Sequence, residues 1–212
     1  AEYVIAPADA LVAAPTSVPL ADAAGFPSVA LTARQALFDD GGLEAGQRVL
    51  IVGAGGVVGK YAIALAKRVG GYVIATASPR SADAVRAAGA DEIIDHTETK
   101  VLEAVSEQVD LLLNLAPIEP DEFTALVRLV RDRGVVVSTT AWMPAPDDAG
   151  RGVRSVVVFV RSDAEKLAEL VSLVDSGART LEVTRRIPLT ELPALHAEAV
   201  EGPIAGKVIV IP

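Results

Sequence analysis

Arg48-Val49-Leu50-Ile51-Val52-Gly53-Ala54-Gly55-Gly56-Val57-Val58-Gly59 runs five residues, mostly β-branched or aliphatic, straight into a cluster of glycines. Beyond it Ala62, Leu65, Ala66 and Val69 recur at the spacing of one helix face. A strand that stops, turns on glycine and re-enters as a helix points the helix's unpaired N–H groups at the turn. That end carries partial positive charge and suits a pyrophosphate. A strict G-x-G-x-x-G counted from Gly53 fails at Val58, whereas a count begun at Ala54 gives Ala54-x-Gly56-x-x-Gly59. Glycine-rich turns also recur for purely structural reasons, so the strand before and the helix after are what point to a dinucleotide. On this reading Ala54, Gly56, Val57 and Val58 form the turn that receives it.

The rest of the chain follows the same alternation. Tyr72-Val73-Ile74-Ala75-Thr76 reads as a second strand, and Ile93-Ile94, residues 110–115 and residues 135–139 as further short apolar strands separated by helical patterns. Such alternation implies an α/β fold with a parallel sheet covered on both faces. Right-handed crossovers then favour a doubly wound sheet of the Rossmann, NAD(P)-binding kind.

Composition narrows the partners. The 212 residues suit one domain of ordinary size plus extra segments. Aromatics make up only 4%, which fits small helices packed on valine-rich strands. A formal charge of −9 and a pI near 4.7 argue against nucleic acid or an anionic membrane as partner. Without a cysteine there can be no disulfide and no thiolate metal site. No apolar run approaches the roughly 20 residues that span a bilayer, and residues 1–12 lack the basic start of a signal peptide. A cytoplasmic protein is expected. Because the chain opens at Ala1 inside an apparent strand, residues 2–6, a piece of a longer protein is expected too.

Several enzyme classes drop out. A short-chain reductase needs Tyr-x-x-x-Lys, yet Tyr3, Tyr61 and Tyr72 are followed four places on by Pro7, Leu65 and Thr76. A P-loop needs Gly-Lys-Ser/Thr, and Gly59-Lys60 runs into Tyr61. No histidine–carboxylate group has metal-ligand spacing. Elsewhere the patterns predict an extended piece over 9–15, a helical stretch over 21–38 interrupted at Gly25 and Pro27, and a helix from Ser78 or Ser81 to Gly89. They continue with a helix over 121–132, a loop over 142–152, a strand over 156–160, and a helix capped by Asp163 and ending at Asp175. The last three elements are a strand over 181–187, a helix over 191–200 and a strand over 207–211.

In a dinucleotide site the end of the second strand meets the adenine ribose, and an acid about 20 residues past the glycines bonds the free 2′-hydroxyl of NAD. Thr76-Ala77-Ser78-Pro79-Arg80 contains no acid. Ser78 offers a hydroxyl and Arg80 a guanidinium able to hold a phosphate, so NADP(H) is the expected cofactor. His96 follows the third strand, which also borders the adenosine side, although a histidine so placed is commonly an ordinary loop residue. His196 belongs to a late amphipathic helix and is expected to be structural or to face solvent. Asn114-Leu115-Ala116 and Thr139-Thr140-Ala141 fall at strand ends that would contact ribose and nicotinamide; simple strand termination by small residues is the alternative. Thr32 could face the nicotinamide.

These residues resemble those of the medium-chain dehydrogenase/reductase superfamily, in particular the zinc-independent quinone oxidoreductases akin to zeta-crystallin. The resemblance spans nearly the whole chain. Its carriers are Ala1-Glu2-Tyr3-Val4, Leu31-Thr32-Ala33-x-x-Ala36-Leu37, Gly46-Gln47-x-Val49-Leu50-Ile51, Gly53-Ala54-x-Gly56-x-Val58-Gly59, Ala88-Gly89-Ala90-Asp91 and Gly206-Lys207-Val208. It implies that residues 1–25 are late strands of a chaperonin-10-like catalytic domain, 26–176 the Rossmann domain, and 177–212 the return to the catalytic domain. It places Ser28 where zinc alcohol dehydrogenases carry a cysteine ligand. It also places His96 where a tyrosine commonly touches the 2′-phosphate. The implied activity is NADPH-dependent hydride transfer to a quinone or activated alkene. The alternatives are an enoyl reductase, perhaps of a larger synthase, and a non-enzymatic NADPH-binding structural or sensor protein. Catalytic side chains are not identified. Finally, Val156-Val157-Val158-Phe159-Val160 reads as an apolar edge strand whose self-pairing would give a homodimer, unless the 142–152 loop covers it.

Overall fold

A computed structural model describes residues 3–140, 142–143, 145–178, 181, 183–202 and 204–212. The chain divides into two compact units, Thr32–Val160 on one hand and Ala1–Leu31 with Arg161–Pro212 on the other.

Residues 3–5 lie in no strand: Tyr3, Val4 and Ile5 are exposed, which corrects the expectation for residues 2–6, of which Glu2 lies outside the described residues. A strand needs a neighbour to take its backbone hydrogen bonds, and among the described residues no strand pairs with these. The piece expected over 9–15 begins instead as a 3-10 turn, Ala8–Ala10. Two short helices follow, α1 (Leu20–Ala23) and α2 (Pro27–Arg34), separated around Gly25 as the sequence predicts, and a π-helical stretch, Gln35–Asp40, continues α2.

The larger unit holds six parallel strands: β1 (Arg48–Val52), β2 (Tyr72–Ala77), β3 (Glu92–Asp95), β4 (Val109–Asn114), β5 (Val130–Ser138) and β6 (Arg154–Val157). Their order is β3-β2-β1-β4-β5-β6, the doubly wound order in which strand sequence reverses between β1 and β4. Val49, Leu50 and Ile51 of β1 and Leu112 and Leu113 of β4 are wholly buried, as strands covered on both faces must be. Between strands run α3 (Val57–Arg68), α4 (Ala82–Ala87), α5 (Val101–Ala104) and α6 (Pro120–Leu126). Lys67, in the last turn of α3, grips both carboxylate oxygens of Asp91 at 2.7 and 2.8 Å, and Asp91 also accepts the Val73 N–H at 2.7 Å. Burial opposes the charge on Asp91, yet these bonds outweigh it and hold its carboxyl below the usual carboxylate range.

Element ends differ from the sequence reading in several places. The helix expected to reach Asp132 stops at Leu126, tightens into a 3-10 turn over Val127–Leu129, and hands Val130 to β5, where it pairs with Val109. The strand expected over 156–160 is β6 instead, and it ends where its partner β5 ends. Val158 N–H donates to the Ser138 carbonyl at 2.8 Å, and the chain then leaves the sheet with Phe159 67% exposed. Ser81 precedes α4 without capping it through its side chain, because its hydroxyl is engaged with Ser78.

In the smaller unit Asp163 caps α7 (Ala164–Asp175) by accepting the Lys166 N–H at 3.0 Å. At the far end Asp175 accepts the N–H groups of Thr16 and Ser17 at 2.8 and 2.9 Å, and the Ser17 N–H in the first place lowers its pKa. Two parallel strands, β7 (Val183–Pro188) and β8 (Lys207–Ile211), are joined through α8 (Leu192–Glu201). Arg186 of β7 forms a two-pronged pair with the buried Asp22, Nε to Oδ1 at 2.6 Å, and this hydrogen bonding lowers the Asp22 pKa. His196 is exposed on α8. Among the described residues no helix is long and apolar enough to cross a membrane.

Candidate cofactor site

The turn after β1 is fastened to the end of β2. Gly53 N–H donates to the Thr76 hydroxyl at 2.9 Å, and Ala54 N–H to the Thr76 carbonyl at 3.2 Å. Gly53 has φ +81°, and a Cβ there would lie 2.8 Å from the Cβ of Ala116. Both the dihedral and the crowding require glycine. Gly56 precedes α3, and no side chain caps the helix, so its first N–H groups face the turn uncovered by a cap. A Cβ on Gly59 would stand 2.4 Å from the carbonyl oxygen of Ala54 and 2.5 Å from its Cα. Gly59 therefore lets the helix close onto the turn, the part played by the third glycine of a dinucleotide fingerprint. The count that begins at Ala54 is the one this packing follows. Ala54 is buried, Val57 and Val58 are half-buried, and Gly56 is exposed.

The crevice of such a sheet opens where strand order reverses, outside the carboxyl ends of β1 and β4. Leu115 N–H donates to the Val52 carbonyl there at 2.9 Å. Asn114, fully buried, accepts the Ala116 N–H through Oδ1 at 3.3 Å, while its carbonyl accepts the Thr139 N–H at 3.1 Å. Its Nδ2 has no partner among the described residues. One side chain and its carbonyl thus bind both loops, and Leu115, Ala116 and Thr139 come together at one edge. Thr140 is different: it is buried, and its hydroxyl pairs with that of Ser138 at 2.7 Å. Its hydroxyl is committed inward. Ala141 lies outside the described residues, and Thr32 is half-buried on α2, apart in sequence from the turn and the strand ends.

On the other flank, His96 N–H donates to the Ala77 carbonyl at 3.3 Å, and its ring is exposed. The neighbouring Asp95 accepts both the Thr97 hydroxyl, at 2.6 Å, and the Thr97 N–H, at 2.9 Å; the hydroxyl bond in the first place lowers its pKa. Arg80 stands exposed on the turn after β2 and makes no ion pair or side-chain hydrogen bond among the described residues. Thr76, Gly53 and Gly59 did not figure as site residues in the sequence reading. A threonine near the end of β2 carries no local signal, since only the fold brings it to Gly53. The chain has no cysteine, and no three of its described His, Asp or Glu side chains form a group able to hold a metal ion.

The chain is similar to several known proteins. A family model described as zinc-binding dehydrogenase matches residues 88–210. The chloroplast envelope quinone oxidoreductase homolog of Arabidopsis thaliana is 30% identical over all of this chain and 68% of its own length. The spectinabilin polyketide synthase system protein NorB of Streptomyces orinoci is 36% identical over 88% of this chain, a match that covers 9% of that protein. Among solved structures, the quinone oxidoreductase from Coxiella burnetii superposes with a TM-score of 0.80 at 30% identity, over 89% of this chain and 59% of that one. The chain spans roughly three-fifths to two-thirds of the Arabidopsis and Coxiella proteins.

Proposed function

The chain belongs to the zinc-binding dehydrogenase family, within the medium-chain dehydrogenase/reductase superfamily, and on that footing we propose that it carries the nucleotide site of an NADPH-dependent oxidoreductase acting on a quinone or an activated alkene. The observation that carries the reading is the turn at Ala54, with Gly59 seated on its backbone and an unpaired Arg80 where an NAD enzyme would place an acid. The bound nicotinamide supplies the hydride. Ala54, Gly56, Val57 and Val58 line the pyrophosphate; Ser78, Arg80 and His96 take the 2′-phosphate. The backbone at Leu115, Ala116, Thr139 and Thr140 holds the nicotinamide and its ribose, with Thr32 on the nicotinamide side. No zinc ligand comes from this chain, and the reaction is read as zinc-independent.

The resemblance to a polyketide synthase protein favours a second acceptor, an enoyl thioester, served by the same cofactor site. Steady-state turnover of NADPH with a benzoquinone and with an enoyl thioester, in the full-length protein, separates the two. Oxidation of NADPH by neither, with tight nucleotide binding, would instead leave a binding protein.

We also propose a homodimer through the β6 edge. β6 has β5 as its single neighbour in the sheet, and just beyond it Phe159 and Val160 are 67% and 44% exposed. Phe159→Asp should convert a dimer into a monomer in sedimentation without lowering the melting temperature by more than about 2 °C. A wild-type monomer at micromolar concentration would exclude this assembly.

A further inference from the structure

The turn between β2 and α4 is built as a clamp. The Ser81 hydroxyl accepts the Ser78 N–H at 3.2 Å and donates back to the Ser78 carbonyl at 3.2 Å. The main chain closes the same four residues, with Ser81 N–H donating to that carbonyl at 2.9 Å, and Ala82 N–H, one residue on, donates to it at 3.0 Å. The single proton of the Ser81 hydroxyl and one of its lone pairs are thereby spent inside the turn. Pro79, at the second position, fixes its own φ near the value such a turn requires. The Ser78 hydroxyl, half-buried, lies 3.4 Å from the Ser81 hydroxyl, and what the clamp leaves exposed is Arg80, with no side-chain partner among the described residues. Ser81 also abuts the glycine turn: a Cβ on Gly55 would lie 2.5 Å from the Ser81 Oγ and 2.7 Å from its Cβ. One serine therefore touches both the turn after β1 and the turn after β2.

We propose that Ser81 is the positioning residue for cofactor selection, its hydroxyl clamping the Ser78–Arg80 turn against Gly55 in the posture that receives a 2′-phosphorylated adenosine. The proposal rests on the reading, given above, that Ser78 and Arg80 take that phosphate. Ser81 itself does not touch the nucleotide. Its effect is preorganisation: a guanidinium on a fixed turn loses less freedom on binding than one on a loose loop. The Gly55 contact sets the separation between the pyrophosphate end and the 2′-phosphate end of the cradle, and the absence of a side chain at Gly55 is what makes room for the clamp.

The test titrates NADPH and NADH by nucleotide fluorescence against the full-length protein as wild type, Ser81→Ala, Ser81→Thr, Arg80→Ala and the Ser81→Ala/Arg80→Ala pair. Ser81→Ala should weaken NADPH by roughly 3- to 10-fold, the range of one lost neutral hydrogen bond. NADH should change by less than about twofold. Ser81→Thr, which keeps the hydroxyl, should recover most of the loss. In the pair, Ser81→Ala should add little to Arg80→Ala, since one acts through the other. Equal weakening of both nucleotides would make Ser81 merely structural and overturn the proposal. No weakening by Ser81→Ala, alongside a selective loss in Arg80→Ala, would overturn it while leaving the phosphate reading standing. A non-selective Arg80→Ala would remove that reading and the proposal with it.

Discussion

Gly59→Ala should abolish tight binding of NADPH and NADH alike, and should lower the melting temperature as well. The added methyl would sit 2.4 Å from a backbone oxygen and 2.6 Å from a backbone carbon of Ala54. A flexible side-chain end could swing away from such a contact, but a backbone fixed between β1 and α3 cannot. The helix must retreat, or the turn must open. Overpacking of this kind costs about 1–3 kcal/mol, which for a chain of this size is a fall of roughly 2–12 °C. Either movement would take the α3 N-terminus off the pyrophosphate it is proposed to hold, the part that NADPH and NADH share. Thermal melting and nucleotide titration of the same variant check both halves. Full nucleotide affinity in a Gly59→Ala protein would mean that the turn does not hold the pyrophosphate.

Arg80→Ala should behave oppositely. It should leave the melting temperature and the NADH affinity nearly as they are, and weaken NADPH by about 10- to 100-fold. A charge-assisted hydrogen bond contributes about 1.5–3 kcal/mol, which converts to that range. The 2′-phosphate brings a charge of about −1.5 to −2 into a chain whose own formal charge is −9, so a local cation has to overcome a repulsive background. Because Arg80 is exposed, salt screens the interaction, and the contrast should shrink as ionic strength rises well past about 0.1 M. Equal loss for both nucleotides in titration would rule out the assignment of Arg80 to the phosphate.

The two variants report on parts of the site that were not equally legible in the sequence. β1 and its turn were readable because a strand covered on both faces shows up as an unbroken apolar run, and because glycines mark a turn whatever surrounds them. The Ala54–Gly59 count was readable for the same reason. Element ends were less so. Nothing between Leu126 and Val130 breaks a helical pattern; the helix ends there because Val109 of β4 offers Val130 a partner. Phe159 and Val160 look as strand-like as Val156, yet β5 stops at Ser138, whose carbonyl is taken by the Val158 N–H, and the ladder ends there. Ser81 had the composition of a helix cap, and only its distance to Ser78 reveals a turn clamp. Its contact with Gly55, from the far side of β2, is a product of sheet order and has no local signature at all.

Strand order also bears on how readily this site could change over evolutionary time. β1 and β4 each have a strand on both sides, so the turn at Ala54 and the loops held by Asn114 hang from the part of the sheet that opens last. Ser78, Arg80 and His96 follow β2 and β3, and β3 is an edge strand with a single neighbour. On the proposed assignment the pyrophosphate is thus held from the centre of the sheet, whereas the 2′-phosphate is read at its periphery. Substitutions there can accumulate with little penalty to folding. A lineage could exchange one cofactor for the other through a few changes after β2 and β3, and the central strands would register none of them.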